Sequence, residues 1–266
     1  MLFGLKLIEK QLVNKSFRVF TVPCLSDNYA WILQDISTGA IGIVDTPSAK
    51  PIIAFINQMD TVGQITVLNT HHHRDHTGGN TAVKESLNAS IVGPSKEKIP
   101  AIDRALVEGD FVDIGATRGR VIDIPGHTCG HIGYVFDGAV FVGDTLFGHG
   151  CGALFEGSPA QMWKSLDKIA NLPQDTLVFC AHEYTLSNVM FGLSVFPDCV
   201  ELGDVHKEIK RLRDMGQQTV PSLLQQELRT NPFLQARHKN VQERFNKANA
   251  VDTFTYIRTN KDGWKP

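Results

Sequence analysis

No apolar run in this 266-residue chain approaches the ~20 residues that a membrane-spanning helix requires. Basic residues are not in excess either. The 26 Lys and Arg face 28 Asp and Glu, leaving a net charge of -2, which argues against a nucleic-acid binder, since phosphate recognition needs a clustered basic surface. Cysteine is sparse. The five residues Cys24, Cys129, Cys151, Cys180 and Cys199 are odd in number, widely spaced and free of any C-x-x-C pair. That usage excludes a disulfide framework and fits reduced thiols in the cytoplasm. Internal repeats and low-complexity linkers are also missing. The opening MLFGLKLIEKQLVNKS is too polar after Leu7 for a signal sequence and lacks a small-residue cleavage pattern. Residues 1–16 read as a leader of unknown role.

What is present is an ordinary globular composition, 42% hydrophobic and 20% charged, enough for a substantial core in one or two domains. From Phe17 to Tyr184 short apolar segments alternate with turn signals. FRVFTV (17–22), YAWIL (29–33), IGIVD (41–45), ITVLN (65–69), SIVG (90–93), RVIDI (120–124), GYVF (133–136), AVFVG (139–143) and TLVFC (176–180) read as strands. Asp137-Gly138 reads as a tight hairpin turn. Ser158-Pro159 signals a helix start, with Met162, Leu166 and Ile169 on one face. Beyond Tyr184 strands fade, and 201–214 and 222–229 read as helices. The expected organisation is an α/β domain over 17–184 followed by a helical domain over 185–266.

Within this frame the stretch THHHRDHTGG (70–79) directly follows a predicted strand. His71 and His73 are two apart, a spacing that points side chains to one side only in extended chain. Asp75 and His76 come where the backbone has to turn, and Gly78 and Gly79 permit that turn and a close backbone approach. A helix over 81–87 follows. His72 and Arg74 face away. His127 in IPGHTCGH, Asp144 in FVGDTLF and His182 in FCAHEY each follow an apolar strand, at the place where a rigid scaffold presents functional groups. His71, His73 and His127 could hold one cation, Asp75, His76 and His182 a second, and Asp144 could bridge them. Imidazole and carboxylate without thiolate suit zinc, iron or manganese. Asp45 is either a partner that orients a ligand histidine or a turn residue before Pro47. His131 and His149 read as structural residues or as supports of a ligand, rather than as ligands themselves.

THHHRDH resembles the T-H-x-H-x-D-H signature of the metallo-β-lactamase superfamily, and PGHT, GDTLF and HEYT resemble its later metal-binding stretches. With GCGALFEG (150–157), AHEYTLSN (181–188) and the helical tail, the chain is similar to the hydroxyacylglutathione hydrolases (glyoxalase II) from about Phe17 to Lys261. The resemblance implies an αββα sandwich with a dinuclear site, followed by a small helical domain that takes part in substrate binding. It carries His71, His73, Asp75, His76, His127, Asp144 and His182 onto the family's metal positions, for two divalent ions, zinc first with iron or manganese as alternatives. Tyr184, Arg258 and Lys261 fall on its glutathione contacts. Residues 237–266 independently hold seven Lys or Arg against three acids, which would suit a substrate bearing two carboxylates. Ala153 departs from the basic residue that many relatives carry there, and Phe155 from the tyrosine that some carry.

The implied reaction is hydrolysis of S-D-lactoylglutathione to D-lactate and glutathione, the detoxification of methylglyoxal. Asp75 and Asp144 are its catalytic residues, through the attacking hydroxide that they orient and hold. The expected enzyme is a cytoplasmic monomer acting on a small-molecule thioester, with no nucleic-acid or membrane partner. The alternatives are a persulfide dioxygenase, which uses one iron and oxygen, another hydrolase on the same scaffold, or a metal-binding protein without catalysis.

Overall fold

The computed structural model describes residues 16–265; all but the last residue of the expected leader lies outside them. The chain divides into two compact units. One runs to Ile122 and includes Tyr134–Gly138; the other comprises Asp123–Gly133 and the residues from Ala139 on.

In the first unit a six-stranded sheet is formed in sequence order by β1 (Phe17–Cys24), β2 (Asn28–Asp35), β3 (Ile41–Val44), β4 (Ile65–Leu68), β5 (Ser90–Pro94) and β6 (Arg104–Leu106). The first three strands are antiparallel neighbours, whereas β3 to β6 pair in parallel. Parallel pairing needs crossovers, and the helices α1 (Ala49–Ile56) and α3 (Asn80–Leu87) fall in two of them, with the single turn α2 (Arg74–Thr77) just before α3. One face of the sheet is covered by a core of Val22, Ile32, Ile41, Ile43, Ile52, Phe55, Val67, Val83 and Ile91, all buried. Branched side chains favour the pleat and fill it. Truncating the fully buried Ile43 to alanine is expected to cost about 2–5 kcal/mol. The hairpin β7 (Phe111–Ile114) and β8 (Thr117–Asp123) also falls largely in this unit. Asp35, at the end of β2, ties to it through the Thr117 hydroxyl at 2.6 Å. Burial alone would raise the Asp35 pKa, but the hydrogen bonds from Thr117, Thr38 and Ser37 outweigh it and hold the carboxyl well below its usual range.

After β9 (Ile132–Phe136), the second unit brings together β10 (Ala139–Gly143), the short hairpin β11 (Leu146–Phe147) and β12 (Gly150–Cys151), β13 (Leu177–Cys180) and β14 (Ser222–Leu223). β13 lies parallel to β10 and antiparallel to β14. Helix α4 (Pro159–Ala170) begins with the full Ser158–Gln161 capping box and Pro159 in its first turn. Its buried face carries Met162, Leu166 and Ile169. The remaining helices are α5 (Thr185–Val195), α6 (Val200–Asp214), α7 (Leu224–Thr230), α8 (Lys239–Arg244) and α9 (Ala250–Gly263). Val189 on α5 packs with Leu202, Val205 and Ile209 on α6. Phe233 stacks on Phe191 of α5 and meets Phe254 of α9. Among the described residues no helix is long and apolar enough to cross a membrane.

The observed fold is the expected mixed α/β type with a helical C-terminal region, and the predicted strands are present, most of them longer or shorter by one to three residues. Three details differ. Residues 222–223 open as strand before the helix begins at Leu224, because their backbone pairs with Leu177 and Val178. Asp75 and His76 sit on a helical turn rather than an open one. Gly78 and Gly79 both have ordinary right-handed backbone. Their freedom from a side chain serves close approach instead: a Cβ on Gly79 would lie 2.8 Å from the Ala49 nitrogen, and one on Gly78 2.7 Å from the Arg74 carbonyl.

Candidate metal centre

The first set of donors grows from the end of β3 and β4. Val44 pairs with Leu68, so Asp45 and Asn69 leave two parallel strands side by side. Asp45 takes up left-handed backbone at φ 58°, a conformation that aspartate tolerates better than most residues. Its carboxylate accepts the Thr70 amide, the Thr70 hydroxyl and His76 Nδ1, each at 2.8 Å. Asp45, Thr70, His71 and His76 are all buried.

These bonds fix the protons on the rings. A carboxylate only accepts, so His76 Nδ1 carries the hydrogen and leaves Nε2 with its lone pair. The one Thr70 hydroxyl proton goes to Asp45, so His71 Nδ1, 3.0 Å from that oxygen, donates to it, and His71 Nε2 is left as a base. His71 Nε2 lies 3.0 Å from His73 Nδ1, and His76 Nε2 lies 3.6 Å from an Asp75 oxygen. Asp75 is oriented by Asn28, whose amide reaches both its carbonyl and its carboxylate at 3.1 Å. His72 turns elsewhere, its ring and backbone both meeting Glu97, and Arg74 is exposed.

The second set lies in the other unit. Strands β10 and β13 end in register, Gly143 opposite Cys180, so Asp144 and His182 emerge from neighbouring strand ends, the usual location of functional groups in parallel sheets. One Asp144 oxygen is 3.4 Å from His182 Nε2 and 3.4 Å from His127 Nε2. His127 Nδ1 donates to the Ala153 carbonyl at 2.9 Å, which again leaves Nε2 basic. The Asp144 amide donates to His131 Nε2 at 3.1 Å, so His131 supports Asp144 through its backbone. Gly152 is obligatory here, because a Cβ would strike the Asp144 carbonyl.

The donor chemistry fits divalent cations. Two ligands bonded at about 2.0–2.2 Å and a tetrahedral angle stand roughly 3.3–3.6 Å apart, close to the 3.0 and 3.6 Å separations in the first set and the 3.4 Å separations in the second. The fixed tautomers of His71, His76 and His127 point lone pairs at their neighbours, as ligating histidines held by an outer partner do.

The residues expected to contact glutathione also lie in the second unit. Tyr184 is partly exposed and stacks on the His182 ring at 4.8 Å and 8°. Arg258 is buried. Its guanidinium donates to the Cys151 carbonyl at 3.2 Å and to Asp262 at 2.7 Å, over the Phe233 ring. Lys261 Nζ lies between the rings of Phe191 and Trp264, 3.4 Å from the Ser187 carbonyl. Burial, helped by the nearby Arg258 charge, pushes its ammonium down to about 8. Phe155 is exposed against the His127 ring, and the Ala153 backbone holds His127. Sequence reasoning missed Asn28 as a support, whereas His131 takes a supporting place of the kind expected of it. Asn28 carries no local signal, since its partner is 47 positions away.

Residues 183–264 match the family described as hydroxyacylglutathione hydrolase C-terminus, and residues 64–182 match the metallo-β-lactamase superfamily. A hydroxyacylglutathione hydrolase of Rhodospirillum rubrum is 45% identical over 92% of this chain and 97% of its own. One from Pseudomonas aeruginosa is 41% identical over 92% and 98%. Among solved structures, ETHE1 from Myxococcus xanthus covers 96% of this chain and 98% of its own with a TM-score of 0.63, but at 22% identity the likeness concerns the fold alone. By identity and coverage, the chain belongs to the hydroxyacylglutathione hydrolase family of the metallo-β-lactamase superfamily.

Proposed function

We propose that the chain hydrolyses S-(2-hydroxyacyl)glutathione thioesters, chiefly S-D-lactoylglutathione, releasing D-lactate and glutathione in the detoxification of methylglyoxal. Thioester hydrolysis itself follows from the family. The observation that carries the finer reading is that each donor set holds basic ring nitrogens beside a carboxylate, with the other ring nitrogen held by Asp45, Thr70 or Ala153.

In this reading the two sets serve the same pair of divalent cations. His71, His73 and His127 would hold one, Asp75, His76 and His182 the other, and Asp144 would serve both. Zinc suits these donors best, with iron and manganese as alternatives. Bound cations of this kind lower the pKa of water to roughly 7 and polarise a carbonyl oxygen. Asp75, steadied by Asn28, orients the attacking oxygen toward the thioester carbon. The oxygen adds to the thioester carbon, and the C–S bond breaks as the carbonyl re-forms, so the sulfur leaves as a thiolate stable enough to need no strong general acid. Tyr184, stacked on the His182 ring, would contact the glutathione moiety close to the donors. Lys261 and Arg258 attract its carboxylates, Arg258 by exchanging Asp262, which is exposed, for the incoming group. The boundary near residue 184 thus separates a metal-holding part from a glutathione-holding part of a cytoplasmic, monomeric enzyme.

The test is an assay of S-D-lactoylglutathione hydrolysis on protein of known metal content. About two ions per chain and turnover that chelator abolishes without regard to oxygen are expected. Turnover that survives full metal removal, or that consumes oxygen, would contradict the reading.

A further inference from the structure

The β11–β12 hairpin is too short to hold its own shape, since isolated hairpins are marginal even at greater length. Its tip is instead gripped by side chains from the helices. Asn188 on α5 donates to the Gly148 carbonyl at 3.1 Å. Glu227 on α7, wholly buried, accepts the His149 amide at 2.9 Å. Asn231 donates to the Gly150 carbonyl at 3.0 Å and to the same Glu227 oxygen at 2.9 Å. Thr230 gives its proton to the Gln226 carbonyl and so accepts from His149 Nδ1 at 3.0 Å. His149 is held at φ 52°, a left-handed conformation that costs free energy and persists only where neighbours impose it. Gly148 and Gly150 have no room for a Cβ, which would strike Thr185 and Asn188.

The base of the same hairpin is continuous with the donors. Asp144 and Thr145 lead directly into Leu146, which pairs with Cys151. The Gly152 amide donates back to the Thr145 carbonyl at 3.2 Å, and the Ala153 carbonyl receives His127 Nδ1 at 2.9 Å. Movement at the tip therefore reaches Asp144 through the strand and His127 through the Ala153 peptide.

We propose that Glu227, Asn231 and Asn188 are positioning residues for the metal centre, clamping the hairpin tip so that its base fixes the orientation of His127 and the placement of Asp144. The helical region then supplies geometry to the donors as well as contacts to the substrate. This inference rests on His127 and Asp144 being ligands, as proposed above.

The test compares Glu227→Ala with the isosteric Glu227→Gln in the full-length protein. Zinc affinity is measured by competition with a chromogenic chelator, alongside kcat and KM and circular dichroism. Removing an outer support of a ligand typically lowers metal affinity or activity 10–100-fold. Glu227→Ala should lower zinc affinity and kcat by that factor with KM within twofold, and Glu227→Gln, which keeps an acceptor for the His149 amide, should recover most of both. Should Glu227→Ala not fold, Asn188→Ala is read in its place, with a three- to tenfold loss of zinc affinity expected. A folded variant whose zinc affinity and kcat stay within twofold of wild type, or whose KM alone changes, overturns the proposal. If wild type bound zinc without hydrolysing the thioester, the proposed function would fail while the affinity comparison still decided this one.

Discussion

The two donor sets are built in opposite ways. His71, His73, Asp75 and His76 come from six consecutive positions, and their supports, Asp45 and Asn28, meet them from neighbouring strands of the same sheet. His127, Asp144 and His182 come from three separate loops, brought together by the register of β10 with β13 and by a hairpin gripped from the helices. A set made by local chain is robust to distant change. A set made by tertiary register inherits every weakness of the elements that align it.

The largest expected effect strikes the dispersed set at its centre. Asp144→Ala removes the oxygen that lies 3.4 Å from two imidazoles, and should lose most bound metal and at least about 100-fold in kcat. Metal analysis with steady-state kinetics checks this, and full metal with full turnover would take Asp144 out of the site. Asp45→Ala probes the contiguous set. It frees His76 and Thr70 together, and a loss of about 10–100-fold in kcat or metal affinity is expected, with Asp45→Asn intermediate because it keeps one acceptor. If Asp45→Ala proved milder than Glu227→Ala, the contrast in robustness would be sharpened; if harsher, it would be broken.

Smaller effects follow from charge. Lys261, with its ammonium pushed down to about 8, loses its charge as pH rises through that value, so KM for the glutathione thioester should rise several-fold between pH 7 and 9. Lys261→Met should show the raised KM throughout and flatten the profile. A KM that is the same at both pH values in wild type would remove Lys261 from substrate binding. The smallest effect lies far from the donors. The Asp35 carboxyl is held below its usual range, so its contribution is present above pH about 4, the ordinary carboxylate value, and fades as pH falls toward the folded value. Asp35→Asn should lower Tm by a few degrees at pH 7, with the gap to wild type closing in acid. An equal gap at pH 7 and pH 3 would show that its charge is immaterial.

Much of this was legible in the sequence because it is written locally. Alternating histidines after an apolar strand, a capping signal at Ser158-Pro159, and histidine or aspartate at strand ends each need only a few adjacent residues. Phe111–Ile114 was not legible, because its alternation is short and begins with an exposed phenylalanine. Nor was the turn at Arg74–Thr77, too short for a helical period. The supports were the least visible. Asn28, Asn188 and Glu227 act through partners between 40 and 78 positions away, and an isolated asparagine or glutamate in sequence reads as solvated surface. Arg258 shows the converse: the basic tail was visible, but not that this guanidinium is buried against the Cys151 carbonyl.

The most direct measurement of the proposed shared centre is anomalous diffraction from crystals of the zinc-loaded protein. Two peaks are expected, each ligated by residues of both donor sets, with Asp144 touching both. A single ion, or ions held by one set without the other, would contradict it.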